Sequence, residues 1–297
     1  MIRYWYLLKL LKAWRALAKV SNNPLRVLWK ALWQTPMLPL RLSPQDPERR
    51  FAISLPNLYA LIQLQKAGWT PQVVDEATLS WELVPSRLFH TRLSTGMDLI
   101  ALHEVFIRQD YGHDFTNQAV LDVGAYNGDS AVFFALHGAK KVVALEPYPP
   151  SLTLARANVE RMGLSDRITL LEAALGPETG RATFQVASRD PEANALQPTP
   201  LAQRLTPYDQ RIEVPVYSLE KLLTDYGPFD FMKLDCEGCE FALVARTPDA
   251  VLQAIPTWHI EYHANPTPLE KRFRALGFYT HRALDRWGLG YLWVRRR

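Results

Sequence analysis

No stretch of this chain reaches the roughly 18 uninterrupted apolar residues that a membrane-spanning helix needs. Cysteine is nearly absent: Cys236 and Cys239 alone, too few and too close together to staple distant parts. A reducing, cytoplasmic setting is therefore the default. A clean secretory leader is also missing, because basic residues cut the hydrophobic start MIRYWYLLKLLK and no small-residue cleavage site follows. Charge of one sign is lacking over most of the molecule. Residues 1–50 hold ten Lys or Arg against two acids, while the rest hold 24 against 28. The net +4 thus belongs to the N-terminal segment. A uniformly basic nucleic-acid surface is excluded, and nucleic acid is not the expected partner.

What is present fits a folded α/β protein. An apolar fraction of 48% in 297 residues is enough for one large domain with an appendage. Residues 1–33 read as amphipathic helix. Lys9, Lys12, Arg15 and Lys19 form one stripe, with Leu7, Leu10, Trp14 and Leu17 opposite. Such a helix either lies on an anionic membrane surface, at the inner membrane face, or packs on its own domain or a homodimer partner. Pro36, Pro39, Pro44 and Pro47 mark an extended linker up to residue 50. Residues 51–110 read as a helical lead-in, with helices over 55–67 and 98–110. From residue 111 onward the main domain is expected. Short apolar runs at 119–123, 141–145, 168–171, 229–234 and 258–262 alternate with helical segments, which means βαβ units and a parallel sheet. Runs at 278–281 and 290–294 should close the sheet as an antiparallel pair. The Pro-rich stretch between strands at 181–186 and 211–217 reads as a substrate-side flap.

In an open parallel sheet, ligands bind beyond the carboxyl ends of the strands. Asp122-Val-Gly-Ala-Tyr-Asn-Gly128 lies at such an end. Gly124 permits a tight turn, and Gly128 lets the next helix start close by. Exposed amides there can meet the carboxylate of an amino-acid-like ligand. The next strand ends in Glu146-Pro147, where a carboxylate can accept from a ribose diol. A dinucleotide enzyme also places an acid here, but it needs Gly-x-Gly-x-x-Gly in the first turn. This chain lacks the middle glycine.

A second group of polar residues follows the fourth and fifth strands of the main domain. Lys233-Leu-Asp-Cys-Glu-Gly-Cys-Glu240 brings Asp235 and Glu237 to the sheet edge. Strand alternation puts His259, Glu261 and His263 on one face. Glu240 reads as a solvated helix residue and His259 as a core histidine. Cys236, Cys239, His259 and His263 offer a zinc set on paper, although a strand spaces its histidines unlike the usual helical pair.

These segments, together with Val216-Tyr-Ser-Leu-Glu-Lys-Leu-Leu223 and Ile260-Glu-Tyr-His263, resemble in order and spacing the FkbM family of methyltransferases. The resemblance covers about residues 98–295. It implies a class I methyltransferase fold, a Rossmann-like, doubly wound, mostly parallel seven-stranded sheet. It implies S-adenosylmethionine as cofactor and O-methylation of a sugar, glycan or natural-product acceptor. Asp122, Gly124, Ala125, Tyr126, Asn127, Gly128, Glu146 and Pro147 are the expected donor-binding residues. Asp235, Glu237 and His263 are the expected catalytic ones, since methyl transfer to a hydroxyl needs alignment and removal of a proton. A divalent cation such as magnesium on Asp235, Glu237 and Glu261 would be another way to acidify the hydroxyl. Two other readings stay open. A nucleic-acid methyltransferase is weakly favoured by Arg295, Arg296 and Arg297, but the Asn/Asp-Pro-Pro-Tyr/Phe signature of base-amino methylation is missing. A non-catalytic membrane-associated scaffold has no need of acids at both strand ends.

Overall fold

The computed structural model describes residues 38–40, 49–51, 53, 55–93, 97–188, 194–196, 208–286 and 289–296. The amphipathic segment expected over 1–33 and most of the expected flap lie outside them. The chain divides into two compact units, Met1–Asp110 and Tyr111–Arg297.

The described part of residues 51–110 is less helical than its sequence suggests. Strands β1 (Leu38–Leu40) and β2 (Arg49–Phe51) pair antiparallel within the Pro-rich stretch. Helix α1 (Leu55–Lys66) is followed by a three-stranded antiparallel sheet of β3 (Gln72–Val73), β4 (Thr78–Val84) and β5 (Arg87–Arg92). Leu79, Ser80 and Trp81 are buried in succession, so no period of two marks β4 in the sequence. Helix α2 (Asp98–Leu102) then runs into a π-helical turn, His103–Arg108. Asn57 ties α1 to the end of β5 and the start of α2: its Oδ1 accepts from Leu99 N at 2.9 Å and its Nδ2 donates to Leu93 O at 3.1 Å.

The second unit carries the expected sheet. Its strands are β6 (Ala119–Val123), β7 (Lys141–Leu145), β8 (Ile168–Leu171), β12 (Phe231–Leu234), β13 (Thr257–Tyr262), β14 (Phe278–Arg286) and β15 (Leu289–Arg296). The order is β14-β15-β13-β12-β6-β7-β8, with β15 antiparallel to both its neighbours. The remaining pairs are parallel. Successive strands run outward from β6 in one direction and from β12 in the other, so strand order reverses between them. That is where an open sheet leaves a crevice. Beside it stands a smaller sheet of β9 (Ala174–Gly176), β10 (Gly180–Val186) and β11 (Gln210–Ser218).

The alternation of side chains sorts the central strands into two faces. Leu121, Val123, Met232, Leu234, Trp258, Ile260 and Tyr262 join one buried core with residues of α5 (Leu219–Tyr226), α6 (Cys239–Arg246) and α8 (Thr267–Ala275). Ser218 caps α5 by accepting from Lys221 N. A short α7 (Asp249–Gln253) precedes β13. The opposite face of the same strands carries Asp122, Phe231, Lys233 and His259, against Phe133 and Phe134 of α3 (Asp129–Leu136). Helix α4 (Pro149–Arg161) follows β7. Each large side chain buried here contributes about 1.5–3 kcal/mol.

Candidate active site

The turn after β6 is built by backbone geometry. Gly124, Tyr126 and Gly128 all have positive φ, 78°, 48° and 88°. A Cβ on Gly124 would overlap the Asp235 carbonyl oxygen, so glycine is required for the β6 and β12 ends to meet. At Gly128, which caps α3, a Cβ would stand 3.2 Å from Ala155 Cα of α4. Gly124 N and Ala125 N donate to Leu145 O at 3.0 and 2.9 Å. Asn127 Oδ1 accepts from Asp129 N at 3.1 Å, and Asn127 O accepts from Asn158 Nδ2 at 3.0 Å. Asn127 Nδ2 is buried and has no partner. A buried donor left unmet costs about 1–3 kcal/mol, so this nitrogen suits an acceptor that the protein does not supply.

Glu146 stands at the end of β7, followed by the buried Pro147. Its two oxygens accept from Tyr126 N at 2.9 Å and Tyr148 N at 2.8 Å. Glu146 therefore holds the neighbouring turn in place. Asp122 lies beneath the turn, fully buried. Its Oδ2 accepts from Ser130 Oγ at 2.7 Å, and its Oδ1 is 3.3 Å from Lys233 Nζ. Burial raises the Asp122 pKa, with Lys233 opposing.

Lys233 is a linchpin that reasoning from sequence misses. Its ammonium donates to Gly124 O at 2.7 Å and Val123 O at 3.2 Å, and lies 3.6 Å from Asp235 Oδ2. Burial works to lower its pKa, but Asp122 and Asp235 outweigh that and hold it protonated. A lysine inside the apolar run Phe231-Met-Lys-Leu234 is the signal that could have found it. Tyr111 is missed as well. Its ring lies 5.8 Å from Lys233 Nζ. Burial, and then the charges of Asp235, Tyr291, Glu261 and Asp129, keep its phenol protonated.

At the ends of β12 and β13, Asp235, Glu237 and His263 each offer one ligand atom, all within 4.8 Å of one another. His263 Nε2 is 3.3 Å from Glu237 Oε2, and Nδ1 is 3.1 Å from Glu240 Oε1. Three expectations change here. Glu240 is no solvated residue: it is fully buried, and accepts from Gly238 N at 2.9 Å and His263 N at 3.0 Å. Glu261 does not join the ligand group, and His263 takes its place. The reason is that β13 stops at Tyr262, so strand alternation no longer governs His263, which turns toward α6. The zinc set fails too, because Cys236 and Cys239 are bonded to each other. His259 is boxed by Tyr111, Tyr291 and Trp293 at ring distances of 5.0, 4.9 and 4.6 Å.

Charge decides which of these groups hold protons. Burial works against a charged His263, but Glu237 and Glu240 prevail and raise its pKa well above the usual 6.5. Burial raises the Glu237 pKa, with His263 pulling the other way. The close pair therefore retains a proton that separate groups would release.

A glycine turn after β6, an acid closing β7, and the strand order β8-β7-β6-β12-β13-β15-β14, reversing between β6 and β12, together define the class I methyltransferase fold. Residues 122–287, just over half of the chain, match the Methyltransferase FkbM domain, and the chain belongs to that family. A curated relative, protein arginine N-methyltransferase PRMT10 of Oryza sativa subsp. japonica, is 35% identical over 112 residues. The match covers 35% of this chain and spans 29% of the relative's length. Among solved structures, the methyltransferase FkbM of Methylobacillus flagellatus is similar with a TM-score of 0.43 and 16% identity, covering 65% of this chain and 47% of that one. A SAM-dependent methyltransferase of Agrobacterium tumefaciens gives a TM-score of 0.41 and 11% identity, covering 77% and 72%.

Proposed function

We propose that this chain transfers a methyl group from S-adenosylmethionine to a hydroxyl of a sugar, glycan or natural-product acceptor. The observation that carries the donor half is the turn at 124–128, with Asn127 Nδ2 buried and unmet, beside a carboxylate closing the next strand. Asn127 and the amides opening α3 would bind the donor's carboxylate, and Glu146 its ribose hydroxyls. When bound, the donor supplies an electrophilic methyl group on a sulfonium. The residues of the chain do the rest. Lys233 pins the turn to β12, which fixes the distance between the two halves of the site. Asp235 orients the acceptor hydroxyl. Glu237, made more basic by burial, takes its proton, and His263 holds that carboxylate in place.

Asp235, Glu237 and His263 would also hold a divalent cation, which would lower the pKa of a bound hydroxyl. An imidazole among the ligands suits a first-row transition ion better than magnesium, which prefers oxygen alone. The N-terminal segment 1–33 is proposed to rest on an anionic membrane. Deleting residues 1–36 should then abolish sedimentation with phosphatidylserine vesicles, and an intact chain that never sediments ends that idea.

Calorimetry with S-adenosylhomocysteine tests the donor site. Micromolar binding is expected, and Glu146→Ala should weaken it by about 10- to 100-fold, the loss of hydrogen bonds to a charged group. No binding at millimolar ligand would remove the assignment. Transfer of labelled methyl to RNA or to protein arginine, with none to glycans or hydroxylated natural products, would overturn the acceptor class.

A further inference from the structure

Two sulfurs sit at the reacting end and take no part in the chemistry above. Cys236 and Cys239 are joined by a disulfide, with Cα atoms 5.5 Å apart. The two residues that the link encloses, Glu237 and Gly238, have φ of 53° and 109°. Left-handed backbone is disfavoured for Glu237, which is not a glycine. Glu240, next to Cys239, accepts the amides of Gly238 and His263, and its Oε2 lies 3.6 Å from Cys236 Sγ. Cys236 is partly exposed, whereas Cys239 is buried as the first residue of α6.

We propose that Cys236–Cys239 is a thiol–disulfide exchange site, opened by a dithiol reductant, whose redox state sets the positions of Glu237 and Glu240. The exchange is independent of the methyl-transfer reading; only its bearing on catalysis rests on that reading. A reductant thiolate attacks Cys236 Sγ, the accessible sulfur. A mixed disulfide forms, the Cys236–Cys239 bond breaks, and the electron pair leaves on Cys239 Sγ. That leaving thiolate forms at the N-terminal end of α6, where the helix dipole favours negative charge. The reductant's second thiolate then attacks the mixed disulfide and expels Cys236. The reductant ends as a cyclic disulfide, two electrons pass to the protein, and the two protons it gave up are taken by the two cysteines. Once the link opens, nothing covalent holds Glu237 left-handed, and the amides that Glu240 secures become free to exchange.

The full chain is equilibrated at set ratios of reduced to oxidised dithiothreitol, quenched, alkylated with N-ethylmaleimide and weighed. Hydrogen exchange is followed on the same samples. A single transition from no adduct to two is expected. In the reduced state, exchange at Gly238 and His263 should be about tenfold faster, as expected of a local opening. Cys239→Ala should carry one adduct at every ratio. No adduct at any ratio, two at all ratios, or identical exchange at those two amides in both states would each overturn the proposal.

Discussion

Two histidines four residues apart have opposite fates. His259 lies within β13 and faces an aromatic box, with neither ring nitrogen hydrogen-bonded. Burial, and then the charge of Lys233, lowers its pKa to about 3, so it stays neutral. His263 lies just past the strand end, where Glu237 and Glu240 make it hold its proton. Both are nearly inaccessible, so burial does not separate them. Their partners do, and the partners are set by which side of the sheet each residue reaches. His259 meets three aromatic rings and the field of a lysine on its own face, while His263 meets two carboxylates.

The largest expected effect sharpens that contrast on the charged side. Asp235→Asn keeps shape and leaves Lys233 paired with Asp122, but removes a carboxylate from the cluster. Turnover should fall by about 10²–10⁴-fold, with S-adenosylhomocysteine affinity unchanged in calorimetry. Retained turnover would move the chemistry elsewhere. Next in size is Glu240→Ala, which strips both the His263 ring and two amides of their acceptor. Loss of one partner from a buried charged pair costs about 3–5 kcal/mol, read as a lowered urea midpoint with unchanged slope. Glu240→Gln should recover much of that loss, because an amide oxygen still accepts. If alanine costs no stability, Glu240 does not hold the loop.

Glu240 also shows where sequence reading ends. Strands 141–145 and 168–171 are legible because each is a short apolar run between turn residues, and the structure gives the same bounds. The antiparallel closing pair is legible for the same reason. The glycine turn and Glu146 stand out because only special residues suit those positions. Burial of Glu240 depends on an amide 23 residues away, and no local pattern encodes that. Alternation extended one residue beyond the last strand pairing puts His263 on the wrong face. Strand β9 is three residues long, too short for a period to appear.

The smallest effect tests the two histidines against each other through pH. His263 has a folded pKa above its unfolded value of 6.5. Its contribution is therefore fully present below pH 6.5 and is lost as pH rises through the folded value. Glu237, also raised, acts with the same sign from the acid side of that range. His259 is opposite. Its folded pKa is depressed to about 3, so its contribution is present above pH 6.5 and disappears as pH falls toward 3. His259→Phe replaces an unbonded ring by an apolar one of similar shape, which is neutral or stabilising at pH 7. It should gain stability relative to the wild type progressively as pH drops from 6.5 to 4, by about 1.4 kcal/mol for each pH unit. Turnover should change little. A His259→Phe chain whose urea midpoint tracks the wild type at every pH from 4 to 7 would show that this ring is solvated or bonded when folded, and the contrast between the two sides would fail.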